Sequence, residues 1–76
     1  MIINNTTNQT VNWTVSNSGN EVSGIKSPES WGTITPPAGP FDYSITMNGL
    51  SVYHIKNPDV CATYTGADLL ITYPGA

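Results

Sequence analysis

The chain has 76 residues, 38% of them hydrophobic and only 9% charged, with a formal net charge of −3. A chain this short buries about 60% of the surface its unfolded form exposes, which fits one domain over 1–76 and argues against the deep cleft most enzymes need. Two lysines and no arginine exclude the basic patch that neutralises nucleic-acid phosphates, and adsorption to anionic lipid fails for the same reason.

Thr, Asn and Ser supply 25 of the 76 residues, so the polarity is neutral rather than ionic. Disordered chains combine few apolar residues with high net charge; this chain does neither and is expected to fold. No apolar run approaches the roughly 20 residues that span a bilayer. Met1-Ile2-Ile3 runs at once into Asn4-Asn5-Thr6-Thr7, which is no secretory signal. The expectation is a cytosolic protein, or a secreted one in mature form restarted with methionine.

No segment repeats apolar residues at helical spacing. Seven glycines and six prolines instead punctuate short runs rich in Thr, Val, Ile and Tyr, the pattern of an all-β sandwich or barrel. Strands are predicted near 2–6, 10–16, 21–26, 31–35, 41–47, 50–56, 60–65 and 69–73. The fold class is therefore all-β, a small, mainly antiparallel sandwich or partly open barrel of six to eight strands.

Val11, Trp13 and Val15 alternate with Asn12, Thr14 and Ser16, which marks a half-buried strand. With a loop at Asn17-Ser18-Gly19-Asn20, Val15 pairs Val22 and the Trp13 indole lies over Gly24. Ile25 then points outward beside Asn12 unless a bulge at Gly24 reverses the alternation. Asn48-Gly49 is the strongest turn signal, because a type I′ turn needs positive φ at both central residues. Its register pairs Met47 with Leu50, Ile45 with Val52, Tyr43 with His54 and Phe41 with Lys56. Phe41, Tyr43, Ile45, Met47, Leu50 and Val52 then form a core face, with His54 and Lys56 at its end. The other face carries Asp42, Ser44, Thr46, Ser51, Tyr53 and Ile55. Leu69-Leu70-Ile71-Thr72-Tyr73 is apolar on both faces and is expected as an interface or a buried central strand.

The catalytic inventory argues against an enzyme. There is one histidine and one cysteine, His54 and Cys61, on different strands. Zinc sites want at least about three ligands at short spacings, and none are so placed, so no metal or other cofactor is expected. Asp42, Asp59 and Asp68 lie near turns, where Asp is a common turn residue. Cys61 forms no intramolecular disulfide and reads as a small buried strand residue. Four N-x-[ST] sequons fall at Asn4, Asn5, Asn8 and Asn12, as expected by chance in so Asn- and Thr-rich a chain.

The hydroxyl-rich polar surface carries the functional expectation. Sugars offer apolar C–H faces and many hydroxyls; an aromatic ring stacks on the first, and Asn, Asp, Ser and Thr bond the second without the desolvation cost of full charges. Tyr53 with Ser44, Thr46 and Asp42 has this composition, and Trp31, followed by Gly32 and Thr33, is a second platform. A non-enzymatic, lectin-like domain binding a carbohydrate or glycoconjugate is the expected function. The alternatives are a protease inhibitor presenting Lys26 ahead of Pro28, and a structural self-assembling β-domain. A homo-oligomer is expected in any case, since two lysines guard all the sheet edges. Ile2-Ile3-Asn4-Asn5-Thr6 and Gly32-Thr33-Ile34-Thr35-Pro36 resemble short stretches of the aegerolysins, small acidic β-sandwich lipid-binding proteins with considerably longer chains. That likeness covers about ten residues and assigns no role to any of them.

Overall fold

The computed structural model describes residues 1–73. They form β1 (Ile2–Asn5), β2 (Val11–Asn17), β3 (Asn20–Lys26), β4 (Ser30–Thr33), β5 (Tyr43–Met47), β6 (Leu50–Ile55), β7 (Cys61–Tyr64) and β8 (Leu69–Thr72). The strands build two packed four-stranded sheets, ordered β4-β1-β7-β8 and β3-β2-β5-β6. The architecture is an open sandwich, not a closed barrel. No described residue is helical, and no helix is long and apolar enough to cross a membrane. Every strand pair is antiparallel except β1 and β7.

Alternation builds the core. Ile3 of β1, Val11 and Val15 of β2, Ile45 and Met47 of β5, and Ala62 of β7 turn inward and are fully buried. Each large aliphatic side chain so buried stabilises the fold by about 1.5–3 kcal/mol. The Trp13 indole packs over Gly24 of β3, where an added Cβ would come within 2.8 Å of the ring. Only a glycine leaves that space, and Ile25 next to it projects outward opposite Asn12 without a bulge. The β2–β3 loop is shorter than expected: Asn17 pairs with Asn20, and Ser18 and Gly19 both take positive φ, as a type I′ turn demands.

The β5–β6 hairpin turns at Asn48-Gly49 with φ of 50° and 89°. Met47–Leu50 and Ile45–Val52 pair as the turn dictates, but Tyr43 pairs with Ile55 rather than His54. A bulge falls between these pairs, with His54 at φ 61°. Left-handed backbone at a non-glycine residue costs about 1–3 kcal/mol. Without the bulge His54 would face the core and Ile55 the solvent. Burying Ile55 instead offsets that strain, and it is buried while His54 and Lys56 are exposed. Phe41 also departs from the expected core face: it precedes β5 and is 65% exposed.

The last strand, β8, lies at a sheet edge and not in a sheet centre. Its Leu70 is half-exposed, while Leu69 and Ile71 pack against the core. Cys61, expected to be buried, is half-buried on the outer face of its sheet, level with Ile2 and Thr72.

Candidate functional site

The outer face of the β3-β2-β5-β6 sheet is a field of hydroxyls. Ser23, Thr14, Thr46 and Ser51 stand in one row across all four strands, and Glu21, Ser16 and Ser44 in the next. β-branched and hydroxyl side chains suit such a pleated, solvent-facing surface. Thr46 Oγ1 and Ser51 Oγ share a 2.8 Å hydrogen bond, and Ser16 Oγ donates to Glu21 Oε2 at 3.3 Å. Tyr53 follows Ser51 on this face and is 67% exposed.

The expected site residues divide. Tyr53, Ser44 and Thr46 share this face. Asp42 lies at its rim, with one carboxylate oxygen 3.2 Å from His54 Nδ1 and 3.3 Å from Lys56 Nζ. The Lys56 ammonium foremost, and then His54, hold the Asp42 carboxyl below its ordinary value. Trp31 is 68% exposed but belongs to the other sheet, whose outer face aligns it with Asn4, Thr63 and Leu70. The sandwich therefore holds Trp31 and Tyr53 on opposite surfaces, too far round the molecule to grip one small ligand together.

A second feature joins three loops at one end of the sandwich. An open cleft of about 420 Å³ is lined by Thr7, Asn8 and Gln9 after β1, Val11 and Asn48 of the second sheet, and Tyr64, Thr65 and Gly66 at the end of β7. Asn5 organises it. Fully buried, Asn5 directs its two amide N–H groups at three carbonyls, Gln9 at 2.7 Å, Ser27 at 3.1 Å and Lys26 at 3.3 Å. Its Oδ1 accepts from the Thr7 N–H at 2.9 Å and the Thr7 hydroxyl at 2.7 Å. Such burial bars a glycan from the Asn5 sequon in the folded protein. Across the cleft, Asn48 Nδ2 donates to the Tyr64 hydroxyl at 3.1 Å, and that hydroxyl donates to Gly66 O at 3.5 Å.

Sequence patterning did not reveal this cleft. Its residues come from three separate stretches. β1 pairing in parallel with β7 brings the first and last together, a pairing with no local signature, and β2–β5 pairing with the packing of the two sheets brings Asn48 to them. A turn-rich Thr6-Thr7-Asn8-Gln9 run was the available hint. Lys26 ends β3, paired with Val11, and its amine lies over Gly32 of β4, so it bridges the sandwich edge rather than projecting from a loop. Among the described residues, no three His, Cys, Asp or Glu side chains cluster as a metal site would require. No protein-family model, curated protein or solved structure matches the chain.

Proposed function

We propose that the chain is a non-enzymatic carbohydrate-binding domain, with the outer face of the β3-β2-β5-β6 sheet as its contact surface. One observation carries the reading: the Tyr53 ring stands free of the core at the end of an ordered, nearly uncharged array of hydroxyls. An exposed ring supplies a stacking platform for a sugar C–H face, and Ser44, Thr46 and Ser51 supply donors and acceptors beside it. Asp42, already engaged by two basic groups, would fix the rim more than contact a ligand.

A glycan array followed by titration of the best hit tests this. Tyr53→Ala should weaken binding by about 1–3 kcal/mol, the cost of truncating a hot spot, and leave stability within about 0.5 kcal/mol. Tyr43→Ala, at a position 4% exposed in the core, should lose several kcal/mol of stability instead, roughly the 3–5 kcal/mol of a large aromatic truncation. Undiminished sugar binding by Tyr53→Ala would end the sheet-face reading.

Self-association is a second reading, favoured by the edges of the other sheet. Both its edge strands, β4 and β8, carry no charged residue, although charge is the common guard against edge pairing. Sedimentation should show a dimer or larger assembly at micromolar concentration, and Leu70→Lys should dissociate it. A strict monomer would remove the proposal. The inhibitor alternative has less support, given where Lys26 lies.

A further inference from the structure

We infer that the three-loop cleft beside Asn5 is a separate binding site for one neutral, polyhydroxylated ligand about the size of a single sugar unit. Its volume of about 420 Å³ falls within the roughly 300–1,000 Å³ of small-molecule sites. The lining decides the ligand's chemistry. Three carboxamides (Asn8, Gln9, Asn48) and three hydroxyls (Thr7, Tyr64, Thr65) surround it, and among the described residues no Lys, Arg, His, Asp or Glu does. A charged ligand would lose its hydration there without meeting a counter-charge. A sugar hydroxyl both donates and accepts, and carboxamides offer both kinds of group.

The cleft is also held in shape before any ligand arrives. Asn5 anchors the Thr7–Gln9 loop and the Lys26–Ser27 carbonyls together. Thr65 Oγ1 accepts from the Asp68 N–H at 3.0 Å, closing the turn on the other side. The Asn48–Tyr64–Gly66 chain of hydrogen bonds ties the two sheets across the back. Loops fixed in this way lose little further freedom on binding. The Asn8 and Gln9 side-chain amides make no hydrogen bond among the described residues, and Asn48 Oδ1 remains as an acceptor once Nδ2 has bonded Tyr64. The site shares only a ligand class with the sheet face, so either can fail alone.

A heteronuclear NMR titration tests it, using methyl glycosides of neutral hexoses and N-acetylhexosamines, with methyl glucuronide and glucosamine as charged counterparts. At least one neutral sugar should shift the backbone amides of Thr7, Gln9, Asn48 and Thr65, and the charged analogues should bind at least tenfold more weakly. The double variant Gln9→Ala with Asn48→Gly should weaken the neutral sugar at least tenfold. Glycine keeps the positive φ of that turn, and well-dispersed spectra would establish that the variant is folded. Phe41→Ala, at the opposite end, should bind as wild type. The inference is overturned if no neutral sugar shifts these amides, if the double variant binds undiminished, or if charged and neutral sugars bind equally. Shifts confined to Ser51–His54 and abolished by Tyr53→Ala would remove the cleft and leave the sheet face standing.

Discussion

At one end of the sandwich Asn5 closes β1, and at the other Asn17 closes β2; both are buried asparagines on inward faces. Asn5 uses its whole carboxamide, three carbonyls on one side and two Thr7 donors on the other. Asn17 reaches one carbonyl, Pro37 O, at a long 3.4 Å, and its buried Oδ1 has no partner among the described residues. The Asn17 end is closed by other means. Pro36 to Pro40 stiffen the β4–β5 connection, Asn20 Nδ2 adds a bond to Ala38 O at 3.2 Å, and the Asp42–His54–Lys56 cluster fastens the start of β5 to the end of β6. A stiff backbone needs few side-chain bonds to hold it. The Thr6–Thr10 connection beside the cleft has no proline and the β3–β4 connection has one, Pro28, and Asn5 satisfies carbonyls in both. The better-bonded end is thus the one that can stay open around a cavity.

The largest effect should come from breaking the better end. Asn5→Ala removes a donor from the Lys26 and Ser27 carbonyls and the acceptor from the Thr7 N–H, while the Thr7 hydroxyl and Gln9 O keep each other at 3.1 Å. At about 1–3 kcal/mol per buried unsatisfied group the loss should reach about 3 kcal/mol or more in urea unfolding. A loss below about 1 kcal/mol would mean the hub is not the anchor described. The hairpin turn at the same end ranks next. No described residue lies within 4 Å of a Cβ at Gly49, so Gly49→Val tests backbone conformation alone and should cost on the order of 1 kcal/mol or more. At the far end, Gly39 has φ 147° and an added Cβ would lie 3.1 Å from Asn17 Nδ2. Gly39→Ala should therefore cost about 1 kcal/mol, and less if Asn17 gives way.

Asn17→Leu sharpens the contrast. It removes one long bond together with an unsatisfied acceptor, so the change should stay within about 1 kcal/mol. A loss matching Asn5→Ala would show the two ends to be equivalent. The smallest effect is electrostatic. The Asp42 carboxyl is depressed below its ordinary 3.8 by Lys56 and then His54, so its stabilisation is fully present above that value. It is lost as pH falls through the lower folded-state value. Asp42→Asn should flatten part of the acid limb of stability below about pH 4, slightly, because the cluster is exposed. An unchanged acid limb would show the pairing to be worth nothing.

All eight strands were legible in the sequence to within about two residues, because each is bounded by turn chemistry that acts over two to four residues. Positive φ at Asn48-Gly49 and the glycine under Trp13 follow from sterics and register, each within its own hairpin. Local alternation leaves Ile25 open between outward and bulged, and the unbroken pairing through Gly24 turns it outward. Tyr53, Ser44 and Thr46 were placed on one face by the same local rule. Tertiary structure alone decided what local rules leave balanced. His54 accepts a strained φ because Ile55 gains a place in the core, an exchange visible only once the second sheet is packed on the first. Trp31 and Tyr53 part company because the chain crosses between sheets after β3 and again after β4. Asn5 reads in the sequence as one more polar strand residue; it becomes a hub only when the Thr7–Gln9 loop folds back and the Lys26–Ser27 turn closes over it, hydrogen bonds to residues up to 22 apart in the chain.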